Sequence, residues 1–269
     1  MTKLFRLLLA VTLLINGPAL ICAIATPAQA SIRTASHEPA SPLKDIASQQ
    51  DLSQFITYYY VFPQPDLTVK SIYFAEKQGY LDKPSVGLPL IAFYSKLFAA
   101  NPAKLQKWMQ ELKHLAKDHK SIIYTALYLA NTAQTKKSAA ILLKEMPASY
   151  KAQVATAAHE PTPFELRPIK STAILDELWA CFTATGEGRY VKRIISVLPW
   201  LDSEQNDAEK TIIAETAKWS LSSNAIQHKR VLAICKREYN EESKAKTALN
   251  EIITKAQTQT TKDADMPTH

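Results

Sequence analysis

The sequence predicts an all-α fold: antiparallel helical hairpins stacked as a short solenoid, with an internal duplication. Three observations carry this. The 269 residues include only five Gly, far too few for the tight turns of a sandwich or barrel. Apolar residues recur at three- and four-residue intervals, the period of an amphipathic helix. The plan of the segment from Val86 returns in the segment from about residue 170. With 46% apolar and 21% charged residues the composition is globular, which excludes wholesale disorder.

The elements follow in chain order. Residues 1–30 read as a signal peptide: Lys3 and Arg6 precede an apolar run from Leu7 to Ile15, and Ala28-Gln29-Ala30 is a small-x-small cleavage site. Asn16-Gly17-Pro18 interrupts the run before it reaches spanning length, and no other apolar stretch is long enough to cross a bilayer. Cys22 follows Leu20-Ile21, whereas lipidation wants a small residue before the Cys. The expectation is export to the periplasm or the medium, a mature start at Ser31 and no transmembrane segment after cleavage. Losing Lys3 and Arg6 lowers the formal net charge from +7 to +5, which is only mildly basic. Residues 31–49, rich in Ser, Pro and Ala without apolar periodicity, read as a flexible leader.

A single domain is expected over 50–257. Segments 51–61 and 66–79, separated by Pro63-Gln64-Pro65 and closed by Gly79, read as a helical hairpin. Tyr58, Tyr59 and Tyr60 cannot all face inward on one helix, so at least one should be exposed. The repeat units then span about 86–146 and 170–239. Leu90, Ile91, Tyr94 and Phe98 match Ile174, Leu175, Leu178 and Phe182, and Leu105, Trp108, Met109, Leu112 and Leu115 match Val191, Ile194, Ile195, Leu198 and Leu201. "NTAQTKKSAAILLKE" from Asn131 aligns without gaps to "NAIQHKRVLAICKRE" from Asn224, which would set both Asn where one helix stops and the next starts. The joining segment 148–169 contains "EPTPFELRP", whose three Pro argue for an irregular link. Residues 258–269 read as a disordered tail. Trp108, Trp179 and Trp219 fall in apolar helical patterns and are expected in the core.

The phrases "LWACFTATGEGRYVKRIIS" and "AKWSLSSNAIQHKRVLAIC" resemble a group of exported bacterial α-helical repeat-like proteins of unknown activity. The resemblance covers residues 50–239. Its motifs are turn and core residues, so it implies a fold and an export route and carries over no site. The tetratricopeptide signature of ordered Trp, Leu-Gly, Tyr, Ala and Pro is missing from both units, although their size is similar.

The chemistry is sparse. No Gly-rich phosphate loop, G-x-S-x-G elbow, H-E-x-x-H pair or C-x-x-C occurs, so no catalytic residue, metal ligand or cofactor is assigned. Glu111, His114 and Asp118 share one face if a helix runs through them, but Lys113, Lys117 and Lys120 beside them oppose a cation. Cys181 and Cys235 could form one disulfide in an oxidising compartment, or serve as small buried apolar residues. Lys136-Lys137 and Lys229-Arg230 recur in the alignment at the start of the last helix of each unit, and these four cations are the candidate binding residues. The expected function is an interaction module for a protein or peptide, without catalysis and without specific nucleic-acid binding. The alternatives are a polyanion or envelope-surface binder, or an enzyme with a site assembled from distant helices.

Overall fold

A computed structural model describes residues 38–156, 160–202, 207–241 and 244–264, and among these all regular structure is helical. The helices are α1 (Gln49–Tyr58), α2 (Thr68–Lys77), α3 (Pro84–Ala100), α4 (Leu105–Glu111), α5 (Lys117–Ala130), α6 (Ala133–Lys144), α7 (Ala148–Thr156), α8 (Thr172–Thr185), α9 (Gly188–Ile195), α10 (Ala208–Gln227), α11 (Lys229–Asn240) and α12 (Lys246–Ala264). Among the described residues, no helix is long and apolar enough to cross a membrane. The segment expected as a signal peptide lies outside the described residues.

Helices α3 and α8 pack against each other at the centre. Both are apolar on nearly every side: Phe93, Tyr94 and Phe98 of α3 and Leu178, Trp179 and Phe182 of α8 are fully or almost fully buried, as a helix enclosed by neighbours requires. α5 covers α3 on one flank and α6 packs on α5, while α9, α10 and α1 surround α8. α12 closes the far end against α10 and α11. One continuous core runs from Ile46 to Ala256.

Local chemistry sets the boundaries. Ser48 caps α1 in a reciprocal box with Asp51, and Thr132 does the same for α6 with Thr135. α5 stops at Asn131, which takes a left-handed backbone with φ 52°, a conformation Asn tolerates better than most residues. α8 stops at Gly186, φ 70°. A Cβ there would meet Tyr60 Cδ2 at 2.9 Å, so the position needs Gly for both its backbone and its neighbour.

Several expectations change. Asn131 and Asn224 are not equivalent: Asn131 is a helix stop, whereas Asn224 is buried within α10, its side-chain amide donating to the Ser220 carbonyl at 2.9 Å. The gapless alignment therefore pairs residues that stand in different kinds of element. Lys136 and Lys137 accordingly occupy the fourth and fifth positions of α6, while Lys229 and Arg230 open α11. The leader is held from Glu38 onward: Ile46 is buried, the Leu43 N–H donates to Gln64 Oε1 at 3.0 Å, and Asp45 pairs with Lys70 at 2.8 Å. α12 continues to Ala264, into the expected tail.

None of the three tyrosines is exposed. The chain turns after Tyr58, so Tyr59 packs edge-on to Phe55 and Phe93 while Tyr58 and Tyr60 close on His228. Trp219 is 43% exposed, outside the core expected for it. The link between the units carries α7 and is fastened by Arg167, which pairs with Glu177 at 2.6 Å and covers the Phe164 ring at 4.2 Å. Burial raises the Glu177 pKa, opposed by Arg167. Cys181 and Cys235 are separate buried thiols, each with its pKa raised by burial. They therefore serve as small apolar core residues rather than as a bridge.

Candidate functional site

A groove of about 450 Å³ lies between α4 and α6, closed below by the start of α5. It forms because two short helices each turn a polar-apolar face toward the same gap. On α4 and the turn after it these residues are Gln106, Met109, Gln110 and Lys113, spaced three or four apart. On α6, Gln134, Lys137, Ser138 and Ile141 follow the same rule. Leu112, Leu115 and Ile123 make a buried apolar floor. Ile141 on the wall is 55% exposed, a large apolar side chain left open to solvent beside that floor.

The electrostatics of the rim are lopsided. Lys120 is spent on Glu145, the only acid lining the groove, at 3.1 Å. Lys113 and Lys137 form no ion pair among the described residues. The groove therefore presents an apolar bottom with two uncommitted cations at its edges, a composition that can hold a ligand.

The four candidate cations are divided. Lys137 stands on the groove rim. Its neighbour Lys136 reaches Glu160 at 2.9 Å and, with Asn131, lowers the pKa of that carboxyl. Lys229 and Arg230 are exposed at the start of α11, outside the groove lining. Glu111, His114 and Asp118 do not share a helix face, because the chain leaves the helical conformation at Leu115 and Ala116. Among the described residues no group of three or more His, Cys, Asp and Glu could hold a metal ion.

Two histidine networks escaped the sequence reading. His119 Nδ1 lies 2.8 Å from Glu76 Oε1 and its Nε2 2.9 Å from Asp82 Oδ1. Burial pulls the His119 pKa down, but the bonds to Asp82 and Glu76 outweigh it and leave the pKa above its usual value of 6.5. Glu76 also accepts the Ala116 N–H at 2.9 Å, so this carboxylate fixes the entry to α5 just ahead of the groove floor. His228 is the opposite case. It is buried among Tyr58, Tyr60 and Phe182, and burial lowers its pKa to about 4. Its Nδ1 is 3.1 Å from the Tyr60 hydroxyl, which donates to Glu38. That assigns the proton to Nδ1 and leaves Nε2 as an unpartnered acceptor. The cleft beneath residues 39–43 offers only about 10 Å³, room for one water at most.

No family model, no curated protein and no solved structure matches the chain.

Proposed function

We propose that the protein is an exported, non-catalytic interaction module that binds a peptide segment of a partner in the α4–α6 groove. The observation that carries the reading is the exposed Ile141 standing over a groove whose apolar floor is Leu112, Leu115 and Ile123, under a rim with two unpaired lysines. An apolar surface of this kind is costly to leave in water and gains on being covered.

A repeat architecture supports it. The four-helix series α3 to α6 has a counterpart in α8 to α11, with a 3₁₀ turn after the second helix of each. The buried residues of the last helices correspond pairwise at a spacing of 96: Thr135 with Val231, Ser138 with Ile234, Ala139 with Cys235. Ile234 stands where the first series has Ser138, and it comes within 3.3 Å of the Cβ position of Gly188 on α9, with Lys192 and Glu238 paired alongside at 2.8 Å. Ser138 lies in the groove lining, so a branched side chain at that position would take up part of its space. The polyanion reading draws less support, since Lys136 is already paired with Glu160 and Lys229 and Arg230 lie outside the groove.

Selecting a displayed random-peptide library on the full chain, with Ser138→Ile as the counter-target, tests this. Enriched peptides should lose at least tenfold in affinity for the variant. A library that yields nothing, or only peptides that bind both proteins alike, would refute it.

A further inference from the structure

Resting on the groove reading, we infer that the occupant is an amphipathic helix of the partner, with acidic residues flanking its apolar stripe. The first argument concerns the backbone. Each peptide unit laid on an apolar surface must keep its N–H and C=O satisfied. The groove walls are helices whose own backbone groups are used internally, so they offer no strand edge for an extended peptide to join. The rim groups able to bond a bare backbone are scattered side chains, the amides of Gln106, Gln110 and Gln134, the ammonium groups of Lys113 and Lys137 and the Ser138 hydroxyl. They do not repeat along the groove as a strand edge does, and the lysines can serve only carbonyls. A helix satisfies its own backbone and needs only apolar side chains on one face.

Dimensions agree. Helix α4 with its 3₁₀ turn spans ten residues and α6 spans twelve, giving walls of roughly 15–18 Å at 1.5 Å per residue. That is the length of about three turns of a bound helix, which brings three or four apolar side chains into register with Met109, Ile123, Ile141 and Leu142. Met109 on the wall is flexible enough to fit different aliphatic or aromatic anchors.

Charge selects the flanks. Lys113 comes from the α4 side and Lys137 from α6, so one cation stands on each wall, and the one lining acid, Glu145, is already engaged by Lys120. Acidic residues beside the apolar stripe would meet both lysines. Basic residues there would meet only repulsion.

Three synthetic peptides of about 15 residues, long enough to form the helix when bound, separate the possibilities by fluorescence anisotropy with the full chain. One carries Leu at i, i+3, i+4 and i+7 with Glu flanks, the second has Lys in place of every Glu, and the third has a central Pro in the Glu version. The Glu peptide should bind at least tenfold more tightly than either of the others. Its affinity should fall at least tenfold in Ser138→Ile. In the surface variant Lys113→Gln/Lys137→Gln it should fall several-fold and lose most of its salt dependence. If the Lys or Pro peptide binds as well as the Glu peptide and Ser138→Ile abolishes that binding, the groove is a peptide site but the helix-and-acid assignment is wrong. Absence of any binding sensitive to Ser138→Ile overturns both. Concentration-dependent dimerisation abolished by Ser138→Ile would make the occupant a second copy of this chain and overturn the inference as well.

Discussion

Replacing His119 by Gln should produce a stability loss that depends on pH in one direction only. Both ring nitrogens face carboxylates, Glu76 at 2.8 Å and Asp82 at 2.9 Å, and only the imidazolium can donate to both. The folded-state pKa lies above the usual 6.5. Such a group contributes stability that is fully present below the unfolded pKa and is lost as pH rises through the folded value. The His119 side chain is 12% exposed, but Asp82 is 67% exposed and its bond is screened by solvent. The pair of bonds is therefore worth about 1 kcal/mol in total. For a domain of this size that corresponds to roughly 2–4 °C in Tm. Thermal melts of wild type and His119→Gln at about pH 5.5 should differ by this amount, and the gap should shrink steadily toward about pH 9. A gap that is constant, or that widens as pH rises, would refute the assignment of the proton.

Two further predictions rest on other features. Gly186→Ala imposes a left-handed backbone on Ala, costing about 1 kcal/mol, and pushes its Cβ to 2.9 Å from Tyr60 Cδ2. Tyr60 is tied by its N–H to Thr183 and by its hydroxyl to Glu38 and His228. The expected total is about 2–3 kcal/mol, a Tm drop of roughly 5–10 °C by calorimetry, and an unchanged Tm would contradict it. The export proposal requires that the chain recovered from periplasm or medium begin at Ser31, since Ala28 and Ala30 suit signal peptidase. Terminal sequencing that finds Met1 would overturn it.

The all-helical class was legible because helical periodicity and scarcity of Gly act along the chain, without reference to distant partners. The helices α1 and α2 were legible for the same reason. Register was not. The match of Asn131 to Asn224 satisfied identity and apolar spacing, yet it sets a helix stop against a residue inside α10, since a shift of nearly one helical turn leaves a similar apolar pattern. Lys137 was singled out from a basic cluster and does stand on the groove rim, but the groove itself exists only because α4 and α6 face each other across it, which no local pattern announces. His119 carried no local signal, because Glu76 and Asp82 reach it from 43 and 37 residues away. Trp219 shows the limit of pattern reading from the other side: it fits the apolar period of α10, yet it stands 43% exposed.

The measurement that bears most directly on the central claim is methyl-resolved NMR of the full chain with a saturating peptide from the displayed-library selection. The account predicts that the methyl signals of Met109, Ile123, Ile141 and Leu142 shift, while those of Ile56 in α1 and Ile252 in α12 stay in place. Shifts centred on Ile212 of the exposed α10 face, with the four groove residues unmoved, would contradict it.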